Sequence, residues 1–197
     1  MIKMAEVKIL VEGYVSGKDN NNSCCTISLI KDKNINMVID PGTVKDQKLI
    51  IKALKKEGLK IADISFVGIT HSHMDHYRNI GMFPKAKTID YWGTWEGDML
   101  SGWKGDETAI SENIKLIKTP GHDYTGITFL VKTAPGLVAV CGDVFWKENF
   151  PKDDPYASDK EKLKKSRALV TAKSDYIVPG HAGKYEVKKD DKLLRFS

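Results

Sequence analysis

Short β-branched runs fill the first forty positions, and each is closed by polar residues. Residues 7–11, 24–30 and 35–39 are predicted as strands on that basis. The break between the first two, Gly13-Tyr-Val-Ser-Gly-Lys-Asp-Asn-Asn-Asn22, is too long for a tight hairpin and predicts a surface loop. Asp40-Pro41-Gly42 is a turn signal that ends the third strand. The spacing then changes to that of a helix. Leu49, Ile50, Ala53 and Leu54 fall on one face, and Gly58 sits where a C-terminal cap belongs. Residues 64–70, 88–91 and 114–118 read as further strands, and 126–132 with 137–141 as a hairpin around Ala134-Pro135-Gly136. Ser158 and Glu161 have capping-box spacing, which starts a second helix near Ser158 and runs it to about Ala172. Leu163, Ala168 and Leu169 are its expected buried positions. Residues 176–178 form a last strand leading into Pro179-Gly180-His181.

The order is strands, helix, strands, and then again strands, helix, strand. Two sheets with helices outside are the layered solution to it, an α/β chain of the α+β kind. At 197 residues, the whole span 1–197 is expected to be one domain. An apolar share of 41% and a charged share of 29% exclude a disordered tail, a collagen and a disulfide-stapled miniprotein. Net charge is 31 − 26 = +5. The densest basic runs, 160–165 and 184–192, are each broken by acidic residues, so they read as a solvated helix face or tail rather than a phosphate track.

No apolar run approaches the roughly 18–20 residues of a membrane span. The start of the chain lacks the apolar core and cleavage site of a secretory signal. Three cysteines, Cys24, Cys25 and Cys141, cannot build a disulfide framework. The expectation is a cytoplasmic protein with reduced thiols and no membrane partner. Cys24 and Cys25 are expected on opposite faces of a strand. No motif speaks to oligomeric state.

The chain has five histidines, and all fall at predicted turn junctions. Three stand in Thr70-His-Ser-His-Met-Asp-His76, and the others follow Pro-Gly at His122 and His181. Residues two apart in extended backbone point the same way. His71 and His73 can therefore hold one ion together, and Asp75 projects with them. A helix beginning after Asp75 would throw His76 across to a second ion. Imidazole with carboxylate suits zinc first, and also manganese or iron, with positions left open to water. Two ions roughly 3.5–4 Å apart can share a hydroxide whose pKa has fallen towards neutrality, and Asp143 is the natural carboxylate to bridge them.

His71-x-His73-x-Asp75-His76, together with His122, Asp143 and His181, resembles the complete signature of the metallo-β-lactamase-fold superfamily over residues of about 5–187. The resemblance implies a four-layer αββα sandwich with a dinuclear site at one edge. It implies that His71, His73 and His122 hold the first ion, that Asp75, His76 and His181 hold the second, and that Asp143 bridges. Asp40 matches the acidic residue that supports the histidine loop from behind. The strings Asn79-Ile-Gly-Met-Phe-Pro84, Ala139-Val-Cys-Gly-Asp-Val-Phe145, Val178-Pro-Gly-His-Ala182 and Lys165-Ser-Arg167 are similar to the small metallo-β-lactamase domain-containing protein 1 group. Animal members of that group are linked to cleavage of histone messenger-RNA precursors.

The implied activity is a hydrolase in which metal-bound hydroxide attacks an ester, thioester, lactam or phosphodiester. Asp75 would orient the hydroxide and handle its proton. A small-molecule substrate is expected. Two alternatives share the fold: an endonuclease acting on RNA, and a persulfide dioxygenase holding one iron at His71, His122 and Asp143. Glyoxalase II is not expected, because sixteen residues follow His181, too few for its helical substrate domain. Tyr124 is placed to reach a substrate oxygen or leaving group, or else to pack beside its loop. Trp92, Trp95 and Trp103 are expected to anchor a long irregular loop, 91–112. Substrate choice is expected to lie there and in 13–23.

Overall fold

The computed structural model describes residues 4–16 and 22–188. The chain runs through β1 (Glu6–Val11), β2 (Tyr14–Ser16), β3 (Asn22–Cys24), β4 (Ile27–Asp32), β5 (Ile35–Ile39) and helix α1 (Lys48–Lys56). Next come β6 (Phe66–Gly68), the short helix α2 (Met74–Tyr77), β7 (Lys87–Ile89), β8 (Gly93–Glu96) and β9 (Met99–Gly102). The last part contains β10 (Glu107–Ala109), β11 (Ile114–Lys118), β12 (Ile127–Thr133), β13 (Gly136–Gly142), α3 (Lys160–Lys173), β14 (Tyr176–Pro179) and β15 (Tyr185–Glu186).

Two sheets result. One has the order β1-β4-β5-β6-β7-β8-β9, the other β10-β11-β12-β13-β14-β15. Period-2 alternation explains why they stack. In β5, Met37 and Ile39 face the space between the sheets while Val38 faces outward to Ile50 and Leu54 of α1. In β12, Ile127, Phe129 and Val131 face inward and Leu130 outward, into a cluster that includes Val170 of α3. Helix, sheet, sheet and helix are thus the four layers of the expected sandwich.

Strand direction gathers the loops that matter. β5 and β6 are parallel, as are β13 and β14, and β11 runs with β13 because both are antiparallel to β12. The C-terminal ends of these five strands lie along one edge, and each leads into a segment carrying His or Asp. The opposite edge is held by hydrogen bonds between the sheets. Asp32, buried at the end of β4, accepts from Ser111 Oγ at 2.5 Å and from Asn113 Nδ2 at 2.8 Å.

Several expectations change. The break after residue 13 is partly ordered, because β2 and β3 pair from Tyr14↔Cys24 to Ser16↔Asn22, while 17–21 lie outside the described residues. The strand expected over 24–30 is split. Thr26 turns away, its N donating to Gly180 O at 2.6 Å and its Oγ1 to Ala182 O at 2.8 Å. Cys25 therefore sits in the break between β3 and β4 rather than opposite Cys24 on one strand. The strand expected over 64–70 is shortened to β6.

The stretch 91–112 is not irregular, since it contains β8, β9 and β10. Trp95 and Trp103 do anchor it, through Nε1 bonds of 3.0 and 2.8 Å to Asp90, but Trp92 is exposed. Leu49 is exposed, so α1 is seated by Ile50 and Leu54 alone, one turn apart. The cap of α3 is Asp159, whose Oδ1 accepts from Lys162 N at 2.9 Å; Ser158 instead bonds Gly121 O. Leu163, Ser166 and Val170 are its buried face, with Leu169 exposed and Ala168 half-buried. Residues 189–192 of the second basic run lie outside the described residues. Among those described, no helix is long and apolar enough to cross a membrane.

Candidate metal centre

The edge where the five strands end brings all seven predicted donors together. Ligand atoms of His71, His73, His122 and Asp143 lie within 4.8 Å of one another, and those of Asp75, His76 and His181 form a second such group. Asp143 stands between them. Its Oδ1 is 3.4 Å from His76 Nε2, and its Oδ2 is 3.3 Å from His122 Nε2 and 3.1 Å from His181 Nε2.

Local backbone explains the placement. The loop after β6 bends over Thr70, His71 and Ser72 and is extended at His73, the N-cap of α2 in the β region. His71 and His73 accordingly fall in one group, while α2 carries His76 into the other. Gly142 has φ +52, and a Cβ there would overlap the Thr70 side chain, so only glycine lets β13 deliver Asp143 this close to the histidine loop.

Each histidine but His73 is also held by its other nitrogen. His76 Nδ1 is 2.8 Å from Asp40 Oδ2, and Asp40 also accepts from Thr70 N at 2.8 Å and Thr70 Oγ1 at 2.6 Å. Asp40 adopts φ +49, a strained conformation for a side chain-bearing residue, and these bonds hold it there. His122 Nδ1 is 2.7 Å from Asp154 Oδ2, His181 Nδ1 is 3.1 Å from Cys24 O, and His71 Nδ1 is 3.2 Å from Thr70 Oγ1. Such contacts fix ring orientation and tautomer, and leave the Nε2 atoms facing one another.

The electrostatics divide the donors. Burial and the neighbouring His76 hold His71 well below the usual imidazole range, so it is neutral and has a lone pair to give. Burial and His122 lower His73 as well. His76 is also buried, but Asp143 and Asp40 outweigh that and raise it well above its ordinary value. Asp143 raises His181 in the same way against its burial. Asp143 itself stays ionised well below the usual carboxylate range, because His181 and His76 overcome its burial.

The fit to metal ions rests on unpaired atoms. His71 Nε2, His76 Nε2 and Asp143 Oδ1 are buried with no hydrogen-bond partner among the described residues. Leaving such atoms unpaired costs about 1–3 kcal/mol each. The Nε2 atoms of His71 and of His76, the latter once its proton is displaced, and a carboxylate oxygen converging in one place are the donor set of a divalent cation.

The cleft above them has a volume of about 260 Å³ and is walled by Val15, Ser23, Trp146 and Tyr156 beside the donors. Ser23 Oγ donates to Asp75 Oδ2 at 2.8 Å. Tyr124 is 67% exposed and lies outside this lining. Sequence reasoning passed over Asp154, Ser23, Trp146 and Tyr156. Asp154 stands in the turn-rich Asp153-Asp154-Pro155 and Ser23 in a polar loop, where no periodicity marks a buried side chain.

The model of the metallo-beta-lactamase superfamily matches residues 25–136. Metallo-beta-lactamase domain-containing protein 1 of Xenopus laevis is 28% identical over 198 residues, spanning 96% of this chain and 84% of its own length. Of the rat, human and mouse proteins of that name, the matches span 64%, 60% and 62% of the length. A probable metallo-hydrolase of Methanocaldococcus jannaschii is 30% identical over 154 residues, 75% of this chain and 71% of that one. Among solved structures, an N-acyl homoserine lactone hydrolase with the product N-hexanoyl-L-homoserine at its catalytic metal center shares the fold. Its TM-score is 0.65 at 17% identity, covering 92% of this chain and 94% of that one.

Proposed function

The chain belongs to the metallo-beta-lactamase superfamily, and from that premise we propose that it is a hydrolase of small acyl substrates, carboxylic esters and thioesters first, working with two divalent ions. The observation that carries the reading is the paired donor groups with Asp143 between them and unpaired buried atoms turned inward. His71, His73 and His122 would hold one ion, Asp75, His76 and His181 the other, and Asp143 both, with zinc the expected metal. Bound there, the ions supply Lewis acidity and lower the pKa of water towards neutrality.

The chain's own residues do the positioning. Ser23 holds one oxygen of Asp75, leaving the other to orient a water and accept its proton. Asp40 keeps His76 turned towards Asp143, and Asp154 holds the ring of His122 at the cleft. No Lys or Arg is among the described residues lining the cleft. A polyanion such as RNA is bound through such cations, whereas a compact neutral acyl group needs none. Three buried free thiols are in keeping with a reducing, cytoplasmic setting.

Metal analysis of protein purified without chelators, with a parallel anaerobic preparation, tests the reading. Two zinc or manganese ions per chain with turnover of esters or thioesters is the expected result. One iron per chain with oxygen uptake would replace it with the dioxygenase, and RNA cleavage without acyl turnover would replace it with the endonuclease. A chain that holds no metal would end it.

Asp154→Ala should weaken metal binding about 10–100-fold, because it removes the carboxylate that orients His122 and raises its basicity. Competition against a chromogenic chelator measures this. Unchanged affinity would mean that Asp154 merely packs behind the ring.

A further inference from the structure

Trp146 stands in the wall of the cleft with a polar atom that nothing above uses. Its side chain is 3% exposed, and its Nε1 is buried without a hydrogen-bond partner among the described residues. The indole lies perpendicular to two of the proposed ligands, with ring centroids 6.2 Å from His122 and 6.3 Å from His181. Phe150 packs edge-on against it at 5.9 Å, and Tyr156 stacks on its face at 5.8 Å. Its backbone is pinned as well, N donating to Phe150 O at 3.0 Å and O accepting from His181 N at 2.7 Å. The ring is therefore held where it is, and cannot turn outward to bulk water.

Two of the other three indoles are given acceptors by the chain. Trp95 Nε1 donates to Asp90 Oδ2 and Trp103 Nε1 to Asp90 O, although both side chains are only part-buried. A phenylalanine at 146 would keep the packing without stranding a donor, so the indole asks for an acceptor. The other unpaired buried atoms of this neighbourhood, His71 Nε2, His76 Nε2 and Asp143 Oδ1, point to ligands that arrive from outside the chain. The same logic applies to Trp146 with opposite polarity. An N–H donor cannot serve a cation, and only a lone pair satisfies it.

We propose that Trp146 is a substrate-binding residue whose Nε1–H donates to an oxygen of the acyl group, the carbonyl of the substrate or the carboxylate of the product. This rests on the hydrolase reading for the identity of the ligand, and on the stranded donor for the contact. Tyr156, stacked outside the indole and 55% exposed, then forms the outer wall against which the rest of the substrate lies.

The test uses zinc-loaded wild-type protein and Trp146→Phe, both with ¹⁵N-labelled indole nitrogens, titrated with butyrate as a product-type carboxylate. The indole signal missing from the variant should move downfield saturably in the wild type. Calorimetry should find butyrate bound about tenfold more weakly by Trp146→Phe at unchanged zinc content. An indole signal that stays in place over the whole titration, or equal affinity in the two proteins, overturns the proposal. If the variant does not fold, Trp92→Phe, Trp95→Phe and Trp103→Phe assign the signal by elimination and the wild-type titration decides. The hydrolase reading fails separately, by absence of acyl turnover in the zinc-loaded wild type; a moving indole signal there would leave Trp146 a carboxylate-binding residue.

Discussion

Asp143→Asn should lower acyl turnover by about 10²–10³-fold while the protein still folds. The amide has the shape of the carboxylate, so the packing at this buried position is kept. What is lost is the negative charge that faces His76 on one side and His122 and His181 on the other. An NH₂ turned towards either group would also present a donor where lone pairs are needed. The ion count should fall from two per chain to one or fewer, with the far-ultraviolet circular dichroism unchanged. Wild-type turnover with both ions retained would remove Asp143 from the centre of the proposed mechanism.

The second large effect comes from a residue with no chemistry of its own. Gly180 precedes His181, and a Cβ on it would overlap Asp143 Oδ1. Gly180 cannot retreat, because its N donates to Phe145 O at 2.8 Å and its O accepts from Thr26 N at 2.6 Å. In Gly180→Ala the carboxylate must move, and both donor groups lose the atom between them. Turnover should drop about as far as in Asp143→Asn, with overpacking costing about 1–3 kcal/mol of stability. Metal analysis and thermal melting of the purified variant measure the two parts. An active, fully loaded Gly180→Ala enzyme would show that Asp143 has room to spare.

Much of the frame is legible in the chain because the relevant signals are local. Runs rich in β-branched residues over 35–39, 126–132 and 137–141 mark β5, β12 and β13, and Gly58 stops α1 where a positive φ of 75° is needed. The donors are legible for the same reason: five histidines at turn junctions are a pattern within the sequence itself. What escapes is set by tertiary contact. The β-rich run 24–30 is interrupted because Thr26 is drawn to Gly180, a partner 154 positions away that no local pattern announces. Asp159 outcompetes Ser158 for the cap of α3 because Ser158 is taken by Gly121 O. Asp154 is read as one more turn residue until His122 is beside it. Trp146 belongs to an apolar run, and only its surroundings distinguish it from core.

Both edges of the sandwich are fastened by hydrogen bonds between the sheets, and one of them also gathers the candidate metal donors. At the far edge, Asp32 ties the sheets with groups the chain itself provides, bonded to Ser111 and Asn113. At the near edge the chain also ties the sheets, Ile127 N donating to Thr70 O at 2.8 Å and Thr26 N to Gly180 O at 2.6 Å. On the proposed reading, ions between His71, His73, Asp75 and His76 of the first sheet and His122, Asp143 and His181 of the second would add to these bonds. On that reading the molecule is built like a book stitched along both edges, with a removable clasp added at one. Exchange of metal would then ask for no return to the unfolded chain, because the hydrogen bonds at both edges are made by the chain itself. On the proposed reading, supply of the ion would set how much of the protein is competent, and a starved population would be recruited by mass action when the metal returns.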